Sequence, residues 1–90
     1  MAKAEISWRR VTEEGVNLQV YAQHVSRKWR FFIREKRFDQ WQSVENPELE
    51  DWLKLLDSVK RRINRRLLRP EEEARVKKEI SERFPGTQFE

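Results

Sequence analysis

The sequence contains no cysteine and only one histidine, His24. Disulfide scaffolds, thiol catalysis and cysteine-based zinc sites are therefore excluded, as is any site that needs two histidines. Neither the HExxH pattern of zinc proteases nor the GxxxxGKS/T pattern of phosphate-binding loops occurs. Adjacent carboxylates such as Glu13-Glu14 and Glu72-Glu73 lie in a predicted turn and a predicted first helical turn, settings that do not prepare them for acid–base catalysis. We therefore expect a protein that is not an enzyme and that needs no metal or cofactor.

Long apolar runs are also absent, and none is longer than the three residues of Phe31-Phe32-Ile33. Such a run is too short to span a membrane or to form the core of a signal peptide. We expect a cytoplasmic protein with no membrane partner.

Glycine and proline are scarce, at two and three residues in 90, so a low-complexity chain is excluded. Charged residues make up 40% of the chain against 37% apolar residues, and the mean hydropathy is -1.02. These values approach those of disordered chains, but four Trp, five Phe and one Tyr do not fit disorder. The length and the aromatic content predict one small folded domain over residues 1–90.

The first half of the chain alternates apolar and polar side chains, which is the period of a half-buried β-strand. Alternation extends from Val16 to His24 and from Lys28 to Lys36. A shorter strand is predicted from Ile6 to Val11, followed by a turn at Glu13-Glu14-Gly15. The segment from Phe38 to Val44 predicts a fourth strand, although its alternation is poor.

The two longer strands are expected to form a hairpin that reverses around Val25-Ser26, or through four residues from His24 to Arg27. Pairing that matches apolar with apolar side chains places three pairs on one side: Ala22 with Trp29, Val20 with Phe31, and Leu18 with Ile33. The other side then pairs Tyr21 with Arg30, Gln19 with Phe32, and Asn17 with Arg34. A one-residue slip would mix the two faces, so the pattern specifies them.

The second half of the chain has the helical period. Asn46 is a suitable N-cap with Pro47 at the first helical position, which predicts a helix over residues 47–68. Its apolar stripe comprises Leu49, Trp52, Leu53, Leu56, Val59, Ile63 and Leu67. A second helix is predicted over residues 70–84, with Ala74, Val76 or Lys77, Ile80 and Phe84 along its apolar side.

The predicted fold class is α+β. Three or four antiparallel strands within residues 5–44 precede two helices that pack on one face of the sheet. The order of elements over residues 5–68 resembles Pur-alpha repeats and related single-stranded nucleic-acid-binding coactivators. That resemblance implies binding through the open sheet face and frequent dimerisation.

Helices on one face of the sheet would leave the opposite face open, with two aromatic side chains among four cations. This open face would present Tyr21, Lys28, Arg30, Phe32, Arg34 and Lys36. Rings that stack with bases, beside cations that contact phosphates, are what single-stranded nucleic acid requires. Cross-strand packing on a solvated face is the alternative interpretation.

A second basic cluster lies near the end of the first predicted helix. Six basic residues fall between Lys60 and Arg69, and Arg61, Arg65 and Arg69 would lie one turn apart on a single ridge. Guanidinium groups in such a ridge suit phosphate contacts. The alternative explanation is that these cations complement the negative end of the helix dipole.

Of the remaining aromatic residues, Trp8 and Trp52 are predicted to be buried. Trp41 has polar neighbours, so both core packing and an exposed stacking or interface role remain open. The functional hypothesis is a nucleic-acid-binding module that prefers single strands, with DNA and RNA both open. The pI near 9.8 is compatible with it. The alternative is a protein-interaction or self-association module, such as a homodimer, without nucleic acid.

Overall fold

A computed structural model describes residues 5–26, 28–36 and 39–89. The elements in chain order are β1 (Glu5–Val11), β2 (Asn17–Val25), β3 (Lys28–Arg34), β4 (Gln42–Val44), α1 (Leu49–Asn64) and α2 (Glu71–Arg83). All four strands form one antiparallel sheet in the order β1-β2-β3-β4. The predicted α+β class, with strands first and helices second, is confirmed.

The chain divides into two compact units, Met1–Pro47 and Glu48–Glu90. The first contains the sheet and the second contains the two helices. The packing of both helices on one face of the sheet, and a single domain, stay predictions. No helix within the described ranges is both long enough and apolar enough to cross a membrane.

The β1–β2 hairpin closes at the predicted turn. The Thr12 N–H donates to the Val16 carbonyl at 2.9 Å, and the Gly15 N–H donates to the Thr12 carbonyl at 2.9 Å. Gly15 has a φ of 85°, in the left-handed region. A three-residue loop needs one residue in that region, and glycine adopts it without steric cost.

The β2–β3 hairpin has a different register from the predicted one. Tyr21 pairs with Phe32, Ala22 with Phe31, and Gln19 with Arg34, so β3 is displaced by two residues relative to the prediction. The reversal lies after Val25, and Ser26 has a φ of 50°. Ser26 therefore adopts the conformation that a tight primed turn requires, without the usual glycine or asparagine. Arg27, the other loop residue, lies outside the described residues.

A displacement of two residues preserves which side chains share a face, so the predicted faces are correct. One side of the sheet, the apolar face, carries buried side chains from three strands: Ile6, Leu18, Val20, Ala22, Trp29 and Phe31. Trp8, predicted to be buried, is half-buried on the same face, and its ring meets Phe31 edge-on at 6.2 Å. The His24 ring lies 4.7 Å from that of Trp29 at the hairpin end.

The fourth strand is shorter than the predicted segment, since β4 comprises only Gln42–Val44. Phe38 lies outside the described residues. The Lys36 N–H donates to Asp39 Oδ2 at 3.2 Å, and the Asp39 N–H donates to the Lys36 carbonyl at 2.9 Å. These bonds form a turn after β3, which explains the poor alternation there.

α1 begins two residues later than predicted. Glu48 is the N-cap residue, and its carbonyl accepts hydrogen bonds from Asp51 and Trp52. The buried apolar side chains of α1 are Trp52, Leu55, Leu56 and Val59. Leu53, predicted to lie on the stripe, is exposed because it lies about 100° around the helix from Trp52.

α1 also ends earlier than predicted, at Asn64. The Leu67 N–H donates to the Arg62 carbonyl at 2.8 Å, and the Arg66 N–H donates to the Ile63 carbonyl at 2.9 Å. Arg66 has a φ of 61°. This pattern is a Schellman motif, which usually has glycine at the left-handed position.

α2 covers Glu71–Arg83 and buries Val76 and Ile80, so Val76 rather than Lys77 belongs to its apolar side. Ala74, also predicted there, is exposed. The two helices contact each other, and the Arg83 guanidinium lies 5.0 Å from the centre of the Trp52 ring.

Candidate nucleic-acid interface

The side of the sheet opposite the apolar face, here called the polar face, has no buried side chain among its described residues. Strand alternation places one carboxylate and four cations on it: Glu5, Arg9, Lys28, Arg30 and Arg34. The polar face is therefore cationic, as the sequence predicted.

Three aromatic rings meet near the middle of the polar face. The rings of Tyr21 and Phe32 are stacked, with centroids 5.0 Å apart and an interplanar angle of 23°. The Trp41 ring lies 5.0 Å from the Tyr21 ring at 56°. We call Tyr21, Phe32 and Trp41 the aromatic cluster. Its first two members meet because the observed register makes them direct cross-strand partners.

Arg34 borders this cluster. Its guanidinium lies 4.2 Å from the centre of the Trp41 ring, in cation–π geometry. Its Nε donates to Gln19 Oε1 at 2.6 Å. The Gln19 bond uses one of five guanidinium N–H donors, so a positioned cation with further donors lies beside the rings.

Trp41 is the most accessible ring of the cluster, with 37% of its surface exposed, whereas Tyr21 and Phe32 are half-buried. Several shallow hollows adjoin its indole. One, of about 410 Å³, is lined by Glu5, Ser7, Tyr21 and Trp41. A second, of about 360 Å³, includes Arg9, Gln19 and Arg34 among its lining residues. A third, of about 520 Å³, includes Arg34 and Gln42. The space around the indole is therefore lined in part by arginine side chains.

The other predicted sheet residues have different positions. Lys28 and Arg30 are exposed on the polar face near the β2–β3 turn, and Arg30 pairs with Gln23 across the strands. Lys36 is exposed but does not belong to the polar face, because β3 ends at Arg34 and Lys36 lies in the following turn.

The predicted ridge of Arg61, Arg65 and Arg69 is wrong. Spacing of one turn applies only within a helix, and α1 ends at Asn64. Arg65 is the C-cap residue, and Arg69 lies in the segment before α2. Arg61 forms an exposed ion pair with Asp57 at 2.8 Å, so its charge is already partly matched.

The polar neighbours of Trp41 do not assign it a role, but the pairing of β3 with β4 does. β3 and β4 pair Ile33 with Gln42 and Phe32 with Ser43. Continuing this register places Trp41 opposite Arg34, on the same face as Tyr21. The register could have been inferred by placing Val44 opposite Phe31, which matches two apolar side chains.

No group of three or more His, Cys, Asp or Glu side chains in the described part of the chain could hold a metal ion. Comparisons with protein-family models, curated proteins and solved structures find no match for this chain. The resemblance to Pur-alpha repeats therefore depends on the order of elements alone.

Proposed function

We propose that this protein is a non-enzymatic module that binds single-stranded nucleic acid on the polar face of its sheet. One observation carries the proposal: an accessible indole, Trp41, extends an aromatic cluster, and the guanidinium of Arg34 lies over its ring. A stacking surface next to a positioned cation has the two components that a nucleotide requires, one for the base and one for the phosphate.

Stacking on Trp41 is the base-binding part of the proposal. The Trp41 ring is exposed, whereas the Tyr21 and Phe32 rings are half-buried, so the indole is the more accessible platform for an incoming base. Each stacked base contributes roughly 1–3 kcal/mol and is bound with little sequence preference. Stacking on the indole requires a base with an open face. Bases in a duplex are stacked on one another, so the proposal favours single strands.

Phosphate contacts are assigned to the exposed cations around the cluster. Arg9, Lys28 and Arg30 are exposed on the polar face, and their spread over β1 and β3 allows a backbone to cross the sheet. Affinity that depends on such contacts falls with rising salt, with a slope of about 0.7 per phosphate for single strands.

The test is a titration of the full chain with mixed-sequence single-stranded DNA and RNA, across a salt series. We expect Trp41→Ala to weaken binding by about 1–3 kcal/mol with an unchanged salt slope. Arg30→Ala should instead lower the slope by about 0.7. Lys78→Ala, which removes an exposed cation from α2, is the matched control and should leave the affinity unchanged.

Two outcomes would contradict the proposal. One is no binding at low salt, with no change in the amide resonances of the aromatic cluster. The other is binding that Trp41→Ala and Lys78→Ala reduce equally, because this result would indicate unspecific attraction to a basic protein.

A further inference from the structure

β1 is the longer of the two edge strands of the sheet, with seven residues against three in β4. The unpaired backbone N–H and C=O groups of an edge strand this long can pair with a strand of another chain unless other features of the strand prevent it. Proteins often protect such edges with charged side chains. β1 carries charges of both signs, and their order determines the register in which two copies of β1 could pair.

Hydrogen bonds at the β1–β2 turn define which backbone groups of β1 point away from β2, toward the edge of the sheet. The Thr12 N–H donates to the Val16 carbonyl, so Thr12 and Val16 form a hydrogen-bonded pair. Such pairs alternate along an antiparallel ladder, so Ile6, Trp8 and Arg10 bond toward β2. The backbone groups of Ser7 and Arg9 therefore point away from β2, toward the edge.

We propose that two copies of this chain pair through their β1 edges, antiparallel and centred on Ser7, to form one eight-stranded sheet. In this register Glu5 lies opposite Arg9 of the second copy, and symmetry produces this opposite-charge pair twice. Ile6 lies opposite Trp8 of the second copy, and both side chains belong to the apolar face. The strand is thus complementary to itself in charge and in apolar character.

Neighbouring registers lack this complementarity. Centring on Trp8 places Ile6 opposite Arg10 and pairs no opposite charges. Centring on Arg9 places two arginines opposite each other, and like charges directly opposite one another destabilise a sheet. Glu5 accepts a long hydrogen bond of 3.4 Å from Gln23, and a carboxylate can accept further bonds from a guanidinium.

This pairing is inferred without the proposed function, although Arg9 takes part in both and the pairing would change the binding surface. The two-fold axis of an antiparallel pair of this kind is perpendicular to the sheet, so both polar faces would lie on the same side. Two aromatic clusters would then share one continuous surface.

The experiment is a mass measurement of the full chain by light scattering and sedimentation over a dilution series, with circular dichroism to verify folding. We expect the unaltered protein to form a dimer. Arg9→Glu and Glu5→Arg should each raise the dimer dissociation constant roughly tenfold or more, because each places like charges opposite one another twice. The double variant Glu5→Arg/Arg9→Glu should restore the dimer.

Lys28→Glu, a charge reversal on β3 away from the edge, is the matched control and should not change the mass. Folded monomer at every concentration would overturn the proposal, as would a dimer that neither single reversal weakens. Failure of the double variant to restore the dimer would show that this register is wrong. Oligonucleotide binding is measured separately, so failure of the proposed function would not decide whether the protein dimerises through β1.

Discussion

Phe31 and Phe32 are neighbours in the sequence and have opposite surroundings. Phe31 is 2% exposed on the apolar face, whereas Phe32 is half-buried beside Tyr21 on the polar face. We expect Phe31→Ala to lower the free energy of unfolding by about 3–5 kcal/mol, the usual cost of deleting a core ring, and Phe32→Ala to cost less. Denaturant melts of both variants measure the difference. A larger loss for Phe32→Ala would mean that the two faces are assigned the wrong way round.

Arg66 has an unfavourable backbone conformation for a residue with a Cβ atom. Its φ of 61° belongs to the left-handed region, where glycine has no steric penalty. We expect Arg66→Gly to raise the free energy of unfolding by about 0.5–1 kcal/mol, measured by chemical denaturation.

The neighbouring residue supplies a matched control for that substitution. Arg65 has a φ of -91° and a ψ of 6°, and it needs no glycine. Arg65→Gly should therefore destabilise the protein, because it only adds freedom to the unfolded chain. If both substitutions destabilise equally, Arg66 is not strained.

At the scale of elements, the faces of the strands could be predicted and the ends of the elements could not. A period of two assigned Val20, Phe31 and Tyr21 to their correct sides. The predicted hairpin register is wrong by two residues because Ser26, in the turn, has a positive φ. Glycine or asparagine is usual at such a position, so a serine gives no sequence signal for the turn. α1 was predicted too long for the same reason, since Arg66 terminates it where glycine would be expected.

A lowered pKa in the first turn of α2 connects helix stability to pH. The hydrogen bond from Lys77, at 2.9 Å, is the main cause that lowers the pKa of Glu73 below its ordinary value of 4.5. Burial opposes this effect, and the charges of Lys77 and of Lys60 on α1 add to it. A depressed carboxyl pKa contributes stability at neutral pH, and this contribution is lost as the pH falls through the folded-state pKa.

We therefore expect Glu73→Gln to lower the melting temperature slightly at neutral pH and low salt, and to have no effect in strong acid. The pair is partly exposed, so the effect should be small and should shrink with added salt. Glu82→Gln is the control, because Glu82 is an exposed acid of α2 without an ion pair among the described residues. An equal effect of both variants at neutral pH would show that net charge, not the Lys77 contact, is responsible.

Across the chain, the candidate site could be predicted in part. Composition and alternation indicated a cationic sheet face that contains Tyr21, Phe32 and Arg34. They did not indicate that Trp41 joins these residues, because its placement depends on the register of a three-residue strand. The basic residues at the end of α1 belong to the second unit and do not form the predicted ridge.

The order of strands in the sheet follows the order of the chain, and this has a consequence for how fast the sheet can form. Every strand pairs with its neighbour in the sequence, and all pairings lie between Glu5 and Val44. No long loop must close before a pairing is gained, so the entropy lost at each step is small. Topologies with such local contacts fold rapidly for their size. The sheet can grow outward from the β2–β3 hairpin, one short closure at a time, without a crossover to delay it.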